Sequence, residues 1–449
     1  MRTSILTATL VLTLAGAAFA QSTSPAVFVA NNGNLRGSVS SLRINPDGSL
    51  TFVQDFVTAQ VPSGQSDPGT NAYAITLSPN GRYLITSHTT ANTITERLSI
   101  LRVHEDATLS LAANASTPDS PLDVEWLSDS LVVATRTRTS GTNEVILYAF
   151  SENPVGLTEV HRAAAGSFAS RLAVADQGRL LLVNDSPLAG GGQLRVFRVD
   201  HVARTLTELG SLPTLTTYAL GMGLTPDHSM VYLGGGAATP YRIGGLTLDL
   251  STGSLGYISG APWISSGQSP KECVVSPDGQ FVYVGHGTDS TIRVHARDAD
   301  GALSEIGQVY DVGIQGSLGD METLRIAGAN GPLDLLLFTD KETFDGTPRG
   351  IFSAAIQPNG QITLRTERLD TGAISPNDLA VWAGVPGASC DPDFNADGNV
   401  DQDDIACLAQ LVAGDPSCSS NDPDFNADGN VDQDDIDALA QVVAGAECP

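Results

Sequence analysis

The sequence predicts an all-β protein, a seven-bladed β-propeller with four-stranded blades, followed by a small α-helical domain. Its 449 residues include 46 glycines and 24 prolines, which indicates many turns between short strands. A pattern of two apolar strands around a tight turn recurs about every 50 residues. The last 60 residues then change abruptly in composition, which indicates a second domain.

The repeated pattern defines the blades. It is clearest over residues 74–85, 172–183 and 273–284, where a turn ending in glycine separates two apolar runs. Turn residues 79, 129, 176, 226 and 277 are 50, 47, 50 and 51 residues apart, and a third and a fourth strand follow each pair. Four strands per repeat is the composition of a propeller blade.

The order of the strands predicts how the ring closes. Seven innermost strands should begin near residues 72, 122, 170, 220, 271, 322 and 377. The last of them has no outer strands after it, whereas residues 27–53 supply three strands without an inner one. We therefore expect the C-terminal strand to complete the first blade of a propeller over 21–383, which leaves no open sheet edge. A linker at 384–389 would lead to the second domain at 390–449.

The first 20 residues have the form of a secretory signal. A short basic start is followed by an apolar stretch, Ile5 to Ala17, and by Ala18-Phe19-Ala20, which predicts Sec-type export and cleavage near Ala20. The apolar stretch is too short for a spanning helix. The alternative is an uncleaved anchor.

The chain is strongly acidic, with 50 Asp and Glu against 23 Lys and Arg and a formal charge of −27. Because such a surface repels nucleic acids, no nucleic-acid partner is expected. Residues 390–449 hold 15 of the acids and no Lys or Arg, so the remaining 35 acids and 23 bases leave −12 upstream. Only Lys271 and Lys341 are lysines, and the other 21 basic residues are arginines.

A twelve-residue loop occurs twice in the tail with identical letters, at 393–404 and 424–435. Its oxygen-bearing side chains and central glycine have the spacing of a Ca²⁺ loop, which predicts two bound Ca²⁺ ions. Because the clustered carboxylates repel one another without metal, folding should be coupled to Ca²⁺ binding. The predicted ligands are Asp393, Asn395, Asp397, Asn399, Asp401 and Asp404, then Asp424, Asn426, Asp428, Asn430, Asp432 and Asp435.

One amphipathic helix follows each loop, and Pro392 and Pro423 argue against a helix before it. This duplicated loop-and-helix unit resembles the dockerin type I module of secreted bacterial proteins. The resemblance implies docking on a cohesin-like or cell-surface protein through Gln402, Asp403, Gln433 and Asp434, in an extracellular, polysaccharide-associated setting. The alternative is a calcium-stabilised terminal cap without a partner.

The cysteines also favour export. Cys273 lies in an apolar strand pattern and is expected to be buried and free. The other four lie in the last 60 residues, which predicts two disulfides. Of three connectivities we favour Cys390–Cys448 with Cys407–Cys418.

The sixth repeat, at residues 281–294 and 299–303, resembles the seven-bladed lactonase-like propellers, which include 6-phosphogluconolactonase-like and muconate-lactonizing proteins. The resemblance implies chemistry at the channel mouth where the inner strands begin. The catalytic His and Arg positions of that family fall at Ser170 and Leu220, which cannot replace them.

Other polar residues surround the same mouth. The expected ring is Tyr73, Asp123, Ser170, Leu220, Lys271, Glu322 and Asn377, with Arg171, Glu272 and Asp378 one residue further in. Such a ring favours binding of a small carboxylate or sugar, so the first hypothesis is a binding or scaffold module. The alternative is a lactone hydrolase that uses Lys271, Arg171 and Glu272. A third possibility is that these groups only satisfy one another.

Overall fold

The structure of the protein is a computed structural model. It describes residues 24–33, 36–60, 71–89, 97–138, 141–187, 191–236, 239–311, 317–341 and 349–384 of the predicted propeller. In the tail it describes 394–395, 400–413, 418, 425 and 433–443. The predicted export signal lies outside these residues.

Twenty-nine strands account for the described part of the propeller. The first fifteen are β1 (Ala26–Asn32), β2 (Arg36–Ile44), β3 (Leu50–Gln60), β4 (Ile75–Leu77), β5 (Tyr83–His88), β6 (Arg97–Val103), β7 (Leu109–Ser116), β8 (Val124–Ser128), β9 (Leu131–Arg136), β10 (Asn143–Glu152), β11 (Val155–Gly166), β12 (Ala169–Ala175), β13 (Leu180–Asp185), β14 (Gln193–Asp200) and β15 (Thr205–Pro213). The others are β16 (Ala219–Leu224), β17 (Met230–Gly235), β18 (Arg242–Leu248), β19 (Leu255–Tyr257), β20 (Trp263–Ile264), β21 (Pro270–Val275), β22 (Phe281–His286), β23 (Thr291–Arg297), β24 (Leu303–Asp311), β25 (Ser317–Gly328), β26 (Gly331–Lys341), β27 (Gly350–Ile356), β28 (Ile362–Asp370) and β29 (Pro376–Trp382).

These strands form seven antiparallel sheets, which confirms the seven-bladed propeller. Blade 1 is β29-β1-β2-β3, and blades 2, 3 and 4 are β4–β7, β8–β11 and β12–β15. Blade 5 is β16–β19 with the short β20 also paired to β18, and blades 6 and 7 are β21–β24 and β25–β28. Strand β29 pairs antiparallel with β1, with Val381 opposite Val27. The C-terminal strand therefore completes the first blade, as the order of the strands predicts.

Burial follows the position of a strand within its blade. The second strands β5, β13 and β22 are buried along their whole length because both of their faces pack against neighbouring blades. Outer strands such as β11 and β24 are partly exposed. The apolar clusters lie between adjacent blades; one joins Val133 and Leu147 of blade 3 to Leu181 and Phe197 of blade 4. Each blade is thus stabilised by its neighbours rather than by a core of its own.

The described part of the tail contains two helices, α1 (Gln402–Val412) and α2 (Gln433–Val443). Phe394, Phe425, Leu408 and Leu439 form a small buried cluster around them. A disulfide joins Cys407 to Cys418, which confirms that predicted pair, whereas Cys390 and Cys448 lie outside the described residues.

Two further expectations concern single features. Cys273 is a free, fully buried thiol, as its strand pattern predicts. Across the part of the chain that the structure describes, every helix is too short or too polar to cross a membrane.

Candidate functional site

Several inner strands carry polar side chains into the central channel close to their start. The pairing register shifts between Ala169 and Arg171, between Pro270 and Glu272, and between Leu318 and Met321. Such bulges bend a strand and re-aim the side chain that follows. They precede or contain the channel-lining residues Arg171, Glu272 and Asp320.

Arg171 is the centre of this channel. Its Nη1 lies 2.8 Å from Oδ1 of Asp378 and 3.9 Å from Oδ1 of Asp123. Its Nη2 lies 3.4 Å from Oδ1 of Asp320 and 3.6 Å from Oε2 of Glu272. The four carboxylates belong to blades 1, 3, 7 and 6, so one guanidinium of blade 4 contacts acids from four other blades.

Three of these carboxylates also bind backbone N–H groups of the next blade. The amides of Leu172, Leu379 and Ile75 donate to them. The acceptors are Oδ2 of Asp123 at 2.6 Å, Oδ2 of Asp320 at 3.0 Å and Oδ2 of Asp378 at 2.8 Å. In each case the donor is the residue that follows the channel position of its own strand. The acids therefore join neighbouring inner strands as well as neutralising Arg171.

Glu272 occupies space that blade 5 leaves open. The equivalent position there is Gly221, and a Cβ atom at that residue would lie 2.0 Å from Oε1 of Glu272. The Oε2 atom of Glu272 is buried and has no hydrogen-bond partner among the described residues, although Arg171 lies 3.6 Å away. Gly221 is thus required for the side chain of Glu272 to reach the channel.

A cavity of about 260 Å³ adjoins this cluster. Two further acids line it, Glu125 and Glu322, each two residues beyond a carboxylate that contacts Arg171. The hydroxyl of Thr76 donates to Oε2 of Glu125 at 2.8 Å. Arg171 is the only basic residue among the described side chains that line the cavity. The acids outnumber it, so the electrostatic potential of the cavity is negative.

Burial changes the protonation of these acids. It raises the pKa of Asp123 to about 7, although Arg171 acts in the opposite direction. Burial, together with the nearby Asp378 and Glu272, raises the pKa of Glu322 to about 8. Burial lowers the pKa of Arg171, but the four carboxylates more than offset this, and the pKa stays well above its usual value. At neutral pH the cavity therefore contains both carboxylic acids and carboxylates.

The structure brings together most, but not all, of the residues predicted for the channel. Arg171, Glu272, Asp123, Glu322 and Asp378 all line the cavity. Lys271 points to the mouth instead, where its Nζ donates to the carbonyl oxygens of Leu318 at 2.9 Å and Gly319 at 3.2 Å.

The remaining predicted positions lie outside the cavity lining. The hydroxyl of Ser170 donates to the carbonyl of Asn184 at 3.1 Å, and Leu220 precedes the glycine that faces Glu272. Asn377 donates from Nδ2 to the carbonyl of Tyr73 at 2.6 Å, so this pair lies at the mouth.

Sequence reasoning missed Asp320. The expected inner strand of blade 7 began at 322, whereas β25 begins at Ser317 and shifts register before Met321. The prediction placed the start of this strand too late, because it relied on the apolar alternation at 324–326, which lies in the C-terminal half of the long strand β25. The turn after β25 begins at residue 329, nine residues beyond Asp320, whereas turn residues 129 and 277 lie six and five residues beyond Asp123 and Glu272, so spacing to the turn could not identify Asp320.

The predicted Ca²⁺ ligands are only partly described. Asp393, Asp397, Asn399, Asp424, Asn426, Asp428, Asn430 and Asp432 lie outside the described residues. Asp404 is fully buried; its Oδ1 accepts from the amide of Asn395 at 3.0 Å and its Oδ2 from that of Asp401 at 2.8 Å. Asp435 is equally buried. Among the residues described, no group of three or more His, Cys, Asp or Glu side chains is arranged to hold a metal ion.

The predicted docking residues lie on the two helices. Gln402, Asp403 and Gln433 are exposed, and Gln433 donates to Asp437 at 3.0 Å. The side chain of Asp434 lies outside the described set.

Replacement of Arg171 tests its structural role. Arg171→Met should lower the free energy of unfolding by about 3 kcal/mol, because it leaves four carboxylates close together without their cation. Urea unfolding followed by the strand circular dichroism signal would measure this. Arg325→Met is the matched control, because the side chain of Arg325 is 50% exposed beside Asp334 and its loss should cost less than about 1 kcal/mol. Equal losses in the two variants would contradict the role of Arg171.

Glu322 should make the propeller less stable as the pH rises. Its folded-state pKa of about 8 exceeds the unfolded value, so the folded state binds the extra proton and stability falls between about pH 4.5 and 8. Glu322→Gln should therefore stabilise the protein at pH 9 by at least about 1.4 kcal/mol, the equivalent of one pKa unit. Thermal melting from pH 5 to 9 in excess Ca²⁺ would measure this, with the exposed Glu367→Gln as control. A pH profile that does not change in Glu322→Gln would refute the assignment.

Comparisons with known proteins agree with the fold. Residues 18–146 match the family described as Lactonase, 7-bladed beta-propeller. No curated protein matches the chain. A protein from Lactobacillus plantarum has 15% identity and a TM-score of 0.56, over 80% of this chain and 99% of that chain. A functionally unknown protein from Desulfotomaculum acetoxidans has 14% identity and a TM-score of 0.55, over 80% and 98%. At these identities the likeness to the solved structures concerns the fold alone, which in this chain is a seven-bladed propeller.

Proposed function

We propose that the protein is an exported binding propeller whose axial cavity takes a small, neutral, hydroxyl-rich ligand such as a sugar. The observation that carries this proposal is the pairing of Arg171 with four carboxylates. Its charge is already compensated, so it offers little to an anionic ligand. The acids around it supply many hydrogen-bond acceptors, which suit a ligand with many hydroxyl donors.

The same observation disfavours hydrolysis of a lactone by the predicted residues. Ester hydrolysis requires stabilisation of the negative charge that develops on the carbonyl oxygen. Arg171 is already surrounded by four acidic side chains, and Lys271 donates to two backbone carbonyls. The acidic lining also argues against a carboxylate ligand within the cavity.

A lactone hydrolase is the second candidate. The match of residues 18–146 to the lactonase propellers favours it. A protonated Glu322 beside ionised acids also resembles the acid and base pair that such a reaction uses.

The two functions can be separated with purified residues 21–449. Calorimetric titration with neutral aldoses and alditols, with aldonates as charged counterparts, should give binding of neutral compounds only. Glu322→Gln should weaken this binding by at least about fivefold, the equivalent of one hydrogen bond of about 1 kcal/mol, because it changes the cavity lining. Glu367→Gln, far from the cavity, should bind like the wild type.

A pH-stat panel of aldonolactones and muconolactones gives the opposing outcome. We expect no consumption above the uncatalysed rate. Turnover that disappears in Lys271→Ala or Glu322→Gln, but persists in Glu367→Gln, would overturn the binding proposal in favour of the hydrolase.

We propose that the tail binds two Ca²⁺ ions and holds the protein in an extracellular assembly through a protein partner. The burial of Asp404 and Asp435 supports this, because each holds the twelfth position of its loop, where an acidic side chain completes the oxygen ligands of a Ca²⁺ loop. The hydrogen bond from the backbone amide of Asn395 to the side chain of Asp404 also brings the third and twelfth loop positions together. The Cys407–Cys418 disulfide supports an oxidising compartment and hence export.

Removal of Ca²⁺ should unfold the tail and leave the propeller intact. EDTA should abolish the helical signal and expose the tail to protease while the strand signal persists. Asp404→Asn with Asp435→Asn should reproduce the effect, whereas Asp437→Asn, on the exposed side of α2, should not. A tail that keeps its helical signal and protease resistance in EDTA would rule out the metal assignment. Capture of a cohesin-like protein by the folded tail would distinguish docking from capping.

A further inference from the structure

The two lysines of the chain lie at the same place. All other basic residues, 21 in number, are arginines, and the ion pairs found among the described residues use arginine. Lys271 of blade 6 and Lys341 of blade 7 both approach the start of β25. The Nζ of Lys271 donates to the carbonyl of Leu318, and Lys341 pairs in register with Ser317. A chain that otherwise uses arginine thus places both of its deprotonatable amines at the channel mouth.

The surroundings of the two ammonium groups differ. Burial lowers the pKa of Lys271, whereas Glu272 and the two backbone carbonyls to which Lys271 donates favour its charged form. Lys341 contacts Oδ1 of Asn377, and its Nζ lies 5.6 Å from the centre of the Tyr73 ring. In the described part of the chain, both hydrogen-bond to uncharged groups instead of pairing with a carboxylate.

This environment favours a neutral amine at Lys341. Burial lowers its pKa to about 7, and the positive charges of Lys271 and Arg171 act in the same direction, whereas Asp378 opposes them. A lysine that is desolvated beside another cation is the arrangement that turns an amine into a nucleophile at neutral pH. Arginine could not serve, because its guanidinium does not deprotonate in proteins.

We propose that Lys341 captures small carbonyl compounds as an imine at the channel mouth, with Lys271 as the cation that pairs with a carboxylate on the same compound. This site is separate from the axial cavity and does not depend on the ligand bound there. The compounds that match both lysines carry a carbonyl group and a carboxylate, as 2-oxo acids do.

The reaction needs no external oxidant or reductant. The lone pair of the neutral Lys341 amine forms a bond to the carbonyl carbon, and the π electrons move to the oxygen, which takes up a proton. Loss of that oxygen as water, with the proton released by the nitrogen, leaves a C=N bond. Asn377 can accept one N–H of the amine and so orient its lone pair.

The test is reductive trapping of the full chain with glyoxylate or propanal and sodium cyanoborohydride at pH 7. Peptide mass mapping then locates the adduct. We expect Lys341 to be labelled faster than Lys271, because a pKa of about 7 leaves roughly half of the Lys341 amine unprotonated at pH 7. Glyoxylate should react faster than propanal because only glyoxylate carries a carboxylate for Lys271.

Two variants and one wild-type measurement complete the test. Lys341→Arg should lose the adduct, whereas Lys271→Arg, which keeps the neighbouring charge, should retain it. In the wild type the labelling rate should be half-maximal near pH 7, so the test stands even if a variant does not fold. Absence of an adduct at Lys341, or half-maximal labelling near pH 10, would overturn the proposal. Equal rates for the two probes would overturn the role of Lys271.

Discussion

The contact of Arg171 with four carboxylates is the constraint on which the centre of the propeller depends. Apolar clusters join each blade only to its neighbours in the ring. Arg171 of blade 4 instead reaches acids of blades 6, 7 and 1, which are not its neighbours, as well as Asp123 of blade 3. Because a buried carboxylate without a partner is costly, these acids and Arg171 form one unit whose members cannot be changed singly without loss.

This unit determines what the channel can bind. Three of the carboxylates that surround Arg171 also accept hydrogen bonds from the backbone amides of Leu172, Leu379 and Ile75. Oxygen atoms that are used in this way are less available to a ligand. Glu125 and Glu322, which do not contact Arg171, line the same cavity as the acids that do. The groups that join the inner strands and these two further acids therefore share one channel.

The period of about 50 residues predicted the blades because each repeat must bury its faces against the next one. The pairing of β29 with β1 was predictable for the same reason, since an unpaired inner strand cannot remain inside a ring. The channel residues were less predictable, because a bulge shifts by one residue which side chains point into the channel. The 50-residue repeat carries no information about such bulges. The prediction therefore assigned Ser170 and Leu220 to the channel positions that Arg171 and Gly221 occupy, and it missed Asp320.

The formal charge of −27 counts every Asp and Glu as ionised. In the channel this count is too negative, because burial keeps Glu322 largely protonated at neutral pH and raises the pKa of Asp123 to about 7. Where Lys341 is neutral, the mouth loses a positive charge as well. The channel thus holds several groups whose charge can change near neutral pH, whereas the 15 acids of residues 390–449 have no basic residue beside them in the sequence. A single net charge therefore covers two different regions, a channel whose acids are partly protonated near neutral pH and a tail whose acids have no basic residue near them in the sequence.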